Sequence, residues 1–136
     1  HGDTEFFMTS EAYNMVTKLI IGAAIDVHKE LGPGLLESVY ECCLEEELLC
    51  RGLTVKTQVP LPLLYKGKKL NKDFRIDLLV EDEILVELKA VEEMRDIHEV
   101  QLLTYLKLSG KKLGLLINFN VPVLTQGIKR KINGVL

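Results

Sequence analysis

The stretch FRIDLLVEDEILVELKA, Phe74 to Ala90, constrains the fold more than any other part of the chain. Apolar residues alternate on both sides of the acidic segment Glu81-Asp82-Glu83, the pattern of two strands joined by a tight turn. Phe74, Ile76, Leu78 and Val80 should share one face of the first strand, and Ile84, Val86, Leu88 and Ala90 one face of the second. The opposite face then carries Arg75, Asp77 and Leu79, and Leu85, Glu87 and Lys89. If the acidic segment is a three-residue turn, Val80 pairs with Ile84, Asp77 stands across from Glu87, and Arg75 stands across from Lys89. Directly opposed residues have Cβ atoms roughly 4.5–5.5 Å apart, and like charges at that spacing destabilise a sheet.

A divalent cation between Asp77 and Glu87 would reverse the sign of that interaction. Mg²⁺ takes oxygen ligands, commonly one or two carboxylates with waters and a substrate phosphate. Lys89, on the same face as Glu87, would hold an ammonium beside the ion. Such a group suits phosphodiester hydrolysis, in which a metal activates water and a lysine steadies developing charge. The plain alternative is a solvent-facing strand surface with diagonal ion pairs. Leu79 and Leu85 share this face and argue that it is at least partly buried.

Around the hairpin the chain alternates helix and strand. From Glu11 to Leu31, Val16, Leu19, Ile20, Ala23, Val27 and Leu31 recur at helical spacing, with Ser10 as N-cap and Gly32 as the stop. Gly32-Pro33-Gly34 forces a turn; it follows no strand and lacks the spacing of a phosphate-binding loop. A second helix is expected from about Leu35 to Arg51, with Leu36, Val39, Tyr40, Cys43, Leu44 and Leu48 on one apolar arc. Glu37 falls on that arc, where a carboxylate needs a partner. Glu47 has one in Arg51 at i+4, whereas Glu37 has Glu41. LTVKTQVPLPLLYKGKKL reads as strand, turn and strand, with prolines suited to an edge. RDIHEVQLLTYLKLSG reads as a helix, KKLGLLINF as a buried strand, and Leu124 to Ile132 as a final helix. The expected order is two helices, three or four antiparallel strands, a helix, a strand and a helix, an α/β mixed sheet flanked by helices.

At 136 residues the chain suits one domain, expected over residues 8–136, with residues 1–7 a cloning remnant or poorly ordered start. No apolar run approaches the roughly 18 residues of a membrane span, and no leader pattern opens the chain. Cys42, Cys43 and Cys50 have neither disulfide nor zinc spacing and read as small apolar residues in a reducing cytoplasm. A net charge of −3 counts against tight, non-specific nucleic-acid binding, leaving two local basic clusters, Lys66 to Lys72 and Lys129 to Lys131. His28 and His98 lack metal-ligand spacing; His28 reads as a helix C-terminal residue and His98 as a surface or supporting one.

Asp77, nine residues, then Glu87-Leu88-Lys89 resembles the D…(D/E)xK signature of the PD-(D/E)xK nuclease superfamily. Gly34-Leu35-Leu36-Glu37-Ser38-Val39-Tyr40 spells G-x-x-E-x-x-Y. With LGPGLLESVYE, QLLTYL and GLLINF, it resembles the GxxExxY proteins of that superfamily, from about Ile21 to Lys131. The proline of the superfamily label is replaced by Ile76. The resemblance implies a restriction-endonuclease-like core. It also implies a Mg²⁺ or Mn²⁺ site formed by Asp77, Glu87, Glu37 and the backbone carbonyl of Leu88, with Lys89 as the signature lysine. Gln101 and Tyr105 resemble the Q-x-x-x-Y element of the recombination-exonuclease branch, and Tyr40 supports the site. Gln101 shares a helical face with Ile97, Thr104 and Leu108 and is expected to point inward.

The expected function is metal-dependent hydrolysis of DNA phosphodiester bonds, with DNA held weakly by the chain alone. The alternative is a nuclease-fold binding or regulatory module of little or no activity, working as a homo-oligomer or in a protein complex. The set Glu37, Asp77, Glu87, Lys89 and Gln101 favours the first. Small size and near-neutral charge favour the second.

Overall fold

Thr9, one residue before the expected cap, starts the first helix: its hydroxyl accepts a hydrogen bond from the Ala12 amide at 3.1 Å. The computed structural model describes residues 8–136, so the expectation for residues 1–7 lies outside it. Helix α1 (Ser10–Leu31) buries Tyr13, Thr17, Ile20, Ala23, Ala24 and Val27. Helix α2 (Glu37–Cys50) follows, then strands β1 (Val55–Tyr65), β2 (Lys68–Val80) and β3 (Ile84–Lys89). Helix α3 (Asp96–Ser109) leads to β4 (Leu113–Asn118), a short 3-10 turn (Leu124–Gly127) and β5 (Ile128–Ile132). Among the described residues no helix is long and apolar enough to cross a membrane.

The five strands form one sheet in the order β1-β2-β3-β4-β5. Three pairings are antiparallel; β3 and β4 are parallel, joined through α3 as a crossover requires. Helices α1 and α2 cover one face: Ile20, Val27, Tyr40 and Leu44 pack on Leu78, Val86, Leu88 and Leu115. Helix α3 covers the other, setting Leu102 and Leu106 against Leu79, Leu85 and Leu116. It lies so close to β4 that a Cβ at Gly114 would meet the Leu102 side chain at 2.8 Å, so a larger residue there would require Leu102 to shift. The fold is the expected α/β arrangement, a mixed sheet between helices, consistent with a restriction-endonuclease-like core.

Three local expectations are corrected. The segment from Leu124 to Ile132 is a 3-10 turn and an edge strand instead of a helix. Pairing with the open side of β4 decides this, and the Gly127 backbone sits where a Cβ would be 2.3 Å from the Asn118 carbonyl oxygen. Helix α2 starts at Glu37, with Leu36 as its uncapped N-terminal neighbour, and buries only Tyr40, Leu44 and Leu48. Its first turn overhangs the core, so Leu36 and Glu37 are exposed.

The third correction concerns the strand faces. Phe74 and Ile76 pack on the α3 side, yet Leu78 and Val80 pack on the α1/α2 side. Strand β1 changes sides with β2: Val55 packs with the first core and Val59 and Leu61 with the second. The crossing falls at Gln58, whose backbone is left-handed at φ 51°. The β1–β2 ladder runs from Thr57↔Leu78 to Val59↔Ile76 and skips Gln58 and Asp77.

Candidate active site

Asp77 and Glu87 meet where β2 and β3 part. Val80↔Ile84, Leu79↔Leu85 and Leu78↔Val86 pair as the three-residue turn requires, and the ladder stops there. Beyond it the two acids take over the backbone's role. The Asp77 amide donates to Glu87 Oε2 at 2.7 Å, and the Leu88 amide donates to Asp77 Oδ2 at 2.8 Å. Each carboxylate therefore satisfies a strand N–H that the diverging ladder leaves unpaired. Arg75 does not face Lys89; its Nη1 donates to the Gln58 carbonyl at 3.2 Å on the β1 side.

The electrostatics of the pair are strained. Glu87 is 5% exposed. Burial, then the neighbouring Asp77 charge, pushes its pKa up to about 8, against the opposing pull of the Asp77 N–H and Lys89. Tyr105 is raised too, first by burial and then by the charges of Glu87 and Asp77, with the Gln101 hydrogen bond opposing. The expected Gln101–Tyr105 pair exists: Gln101 Nε2 donates to the Tyr105 hydroxyl at 3.3 Å. Gln101 is exposed, however, and does not point into the core as expected. Helix α3 buries Leu102, Tyr105 and Leu106, which leaves Ile97, Gln101, Thr104 and Leu108 on the open side. A groove of about 460 Å³ runs there beside half-buried Lys89, walled by Phe74, Gln101 and Tyr105.

Glu37 reaches this site only through its field. It adds to the upward pressure on Glu87 and on Glu41 but sits exposed at the start of α2. Its expected place on the buried face is overturned by the overhang of that first turn. Tyr40 explains why the turn stands where it does. Its hydroxyl donates to the Gly32 carbonyl at 2.6 Å and accepts from the Leu35 amide at 3.2 Å. Its ring stacks on Phe119 at 4.4 Å. Tyr40 thus pins the Gly32–Leu35 segment that delivers Glu37.

Gln58 and Asn118, near the acids, are not singled out by the sequence, and Glu41 stands there only as the i+4 neighbour of Glu37. Gln58 Nε2 donates to Glu41 Oε1 at 2.7 Å and lies 3.4 Å from Asp77 Oδ1, bridging helix α2 to the β2 acid. Glu41, one turn beyond Glu37, is raised by burial and by Asp77, Glu45 and Glu37, with the Gln58 bond opposing. Asn118 pairs across from Lys89; its Oδ1 accepts from Val91 N and its Nδ2 donates to Val91 O, which fixes the chain just past the lysine. A lone polar residue closing the buried run LGLLIN was a signal for Asn118; nothing in a single sequence marks Gln58. His28 bonds the Val121 carbonyl at 2.8 Å; His98 Nδ1 accepts from the Arg95 amide at 3.1 Å at the start of α3, where His98 also lines the groove beside Lys89.

Among the described residues no three His, Cys, Asp or Glu side chains converge closely enough to hold an ion by themselves. The donor set of the central pair still suits a hard cation. Two carboxylates, one of them unable to keep its charge unaided, are the oxygen ligands that Mg²⁺ or Mn²⁺ takes alongside water and phosphate.

No curated protein and no solved structure matches the chain. The family model of the PD-(D/E)XK nuclease superfamily matches residues 14–131, spanning both cores, the acid pair and the lysine. By that match, the chain belongs to the PD-(D/E)XK nuclease superfamily.

Proposed function

We propose that this protein is a Mg²⁺- or Mn²⁺-dependent nuclease that hydrolyses DNA phosphodiester bonds. The observation that carries the reading is the interlocked pair Asp77 and Glu87, with Glu87 driven out of its charged form by burial and by its neighbour. Asp77, Glu87 and the Leu88 carbonyl would hold the ion, with Glu37 joining from α2 through water. The bound ion would supply an activated water and neutralise phosphate charge.

The chain's own residues do the rest. The Asp77 and Leu88 amides fix the two carboxylates against β2 and β3. Lys89 leaves the sheet on the same face as Glu87, where its ammonium can meet a phosphoryl oxygen and stabilise charge developing there. Gln101, braced on Tyr105, offers a hydrogen bond at the groove wall. Membership of a nuclease superfamily supports nucleic acid as the partner; the choice of DNA rests on the resemblance of Gln101 and Tyr105 to the exonuclease element. We place the chain in the cytoplasm on its free cysteines, of which Cys42 and Cys50 are exposed and Cys43 half-buried.

The second reading is a nuclease-fold binding module within an oligomer or complex. It is favoured by the exposed Glu37 and the incomplete convergence of acids. Linear, circular, single-stranded and branched DNA incubated with Mn²⁺, wild type beside Lys89→Ala, separates the two. Cleavage that depends on Lys89 supports the nuclease. Mn²⁺ binding without cleavage of any substrate favours the module.

A further inference from the structure

The hairpin of β1 and β2 outruns the rest of the sheet. Strand β2 pairs with β3 only from Leu78 to Val80, while its pairing with β1 continues to Tyr65↔Lys68. The base of this arm is anchored: Leu61 and Phe74 pack toward Tyr105 on α3. Its tip contributes nothing to either core, and Leu64 and Tyr65 are 58% and 60% exposed. A two-stranded ribbon is marginal in water by itself. The tip closes through Lys66 and Gly67, both left-handed at φ 51° and 76°, the geometry of a tight hairpin turn matched to the twist of its strands.

The tip is also where positive charge collects. Lys66, Lys68, Lys69 and Lys72 are all exposed, against the one acid Asp73, in a chain whose net charge is −3. Among the described residues no salt bridge engages any of the four. Lys66 lies over the Tyr65 ring at 5.5 Å. Asp77 of the active site and Lys68, Lys69 and Lys72 of the arm thus occupy different stretches of β2, with Lys66 in the turn beyond them.

We infer that the arm grips the phosphate backbone of a nucleic-acid strand at a fixed distance from the bond to be cut. Lys72 and Lys68 stand five and nine residues from Asp77 along β2. At about 3.3 Å per residue that is roughly 17–30 Å. With B-DNA rising about 3.4 Å per nucleotide on each strand, the grip falls roughly five to nine nucleotides from the scissile phosphate. The inference rests on the nuclease reading for its partner, and the chemistry it invokes, a row of phosphates, is common to DNA and RNA.

The test uses the full chain with metal removed, so that binding is read without cleavage. Affinity for a 30-nucleotide single strand and its duplex, as DNA and as RNA, is followed from low to moderate salt. Wild type is compared with a variant carrying Lys66, Lys68, Lys69 and Lys72 changed to Gln. A control carries the same change at Lys18, Lys29, Lys107 and Lys112, exposed lysines away from the arm. Each neutralised phosphate contributes about −0.9 to the slope of log affinity against log salt in B-DNA, and about −0.7 on single strands. The arm variant should lose about three from that slope and on the order of 10²-fold or more in affinity at 0.1 M salt. The control should keep most of both, and the melting temperature of the arm variant should stay near wild type. With Mn²⁺ restored, cleavage of strands with fewer than about five nucleotides on the arm side of the cut should no longer distinguish wild type from arm variant. Loss on either polymer supports the arm and says which one it holds. Equal losses in arm variant and control, or none in the arm variant, overturn it while leaving the nuclease reading intact. If the wild type binds no nucleic acid, the arm is overturned, and the nuclease reading is decided separately by the Mn²⁺ cleavage assay with Lys89→Ala.

Discussion

Replacing Glu87 by Gln should make the metal-free protein more stable, and the gain should grow with pH. The Glu87 carboxyl titrates at about 8 in the folded chain and near 4.5 when unfolded. Between these values the native state holds a proton that the unfolded chain has released, so stability falls as pH rises through that window. Below about pH 4.5 both states are protonated, and well above 8 both are ionised, so the loss is then complete. Gln mimics the protonated acid at every pH and can still accept the Asp77 N–H. Each pH unit is worth about 1.4 kcal/mol, so the gap between variant and wild type should widen by about 4 kcal/mol from pH 5 to pH 8.5. Urea unfolding in EDTA at half-unit steps measures it, and the difference between the two proteins removes groups that titrate alike in both. A gap that stays within about 1 kcal/mol across the range would refute the claim that burial and Asp77 hold this acid out of its charged state.

The other predictions concern the ion, the lysine and the bridge. Wild type should melt higher in Mn²⁺, gaining roughly 2.7 kcal/mol at 100 times its dissociation constant, and Asp77→Asn or Glu87→Gln should lose that gain; a wild type indifferent to Mn²⁺ by melting and calorimetry would remove the metal site. Lys89→Ala should keep Mn²⁺ binding and lower kcat on the order of 10²–10³-fold. Gln101→Ala should do less, since Gln101 is exposed; a larger loss than for Lys89→Ala would mean the roles are reversed. Gln58→Gly should unfold at higher denaturant than Gln58→Ala by about 1 kcal/mol, because a left-handed backbone penalises any Cβ. Ala as the more stable of the two would contradict that conformation.

The sequence disclosed what rests on local pattern. The Val80↔Ile84 register followed from alternation and a three-residue turn, and it put Asp77 beside Glu87. The crossover helix and the buried run of β4 were legible from their periods and from Gly110. Features that depend on distant partners were not. Residues 128–132 form a strand because β4 has an open side, which their own spacing does not reveal. The overhang of α2 depends on where the sheet ends, and it turned a helical-wheel expectation for Glu37 into an exposed position. Gln58 is invisible for a deeper reason: its importance lies in one backbone angle, and glutamine is not a residue that advertises a positive φ.

Because β1 and β2 change sides at Gln58 and Asp77, the hairpin is two ribbons spliced end to end, each answering to a different core. Lengthening both strands by two residues on the inner side of the splice would carry Asp77 away from Glu87 and destroy the pair. The same insertion beyond Leu61 and Phe74 would leave both cores, and both acids, where they are. It would move only the tip, by about 7 Å, or two nucleotides of B-DNA. The reach of the molecule along a substrate is therefore a quantity that can drift or be engineered separately from its chemistry. Chains built this way could differ in footprint while sharing one cutting site.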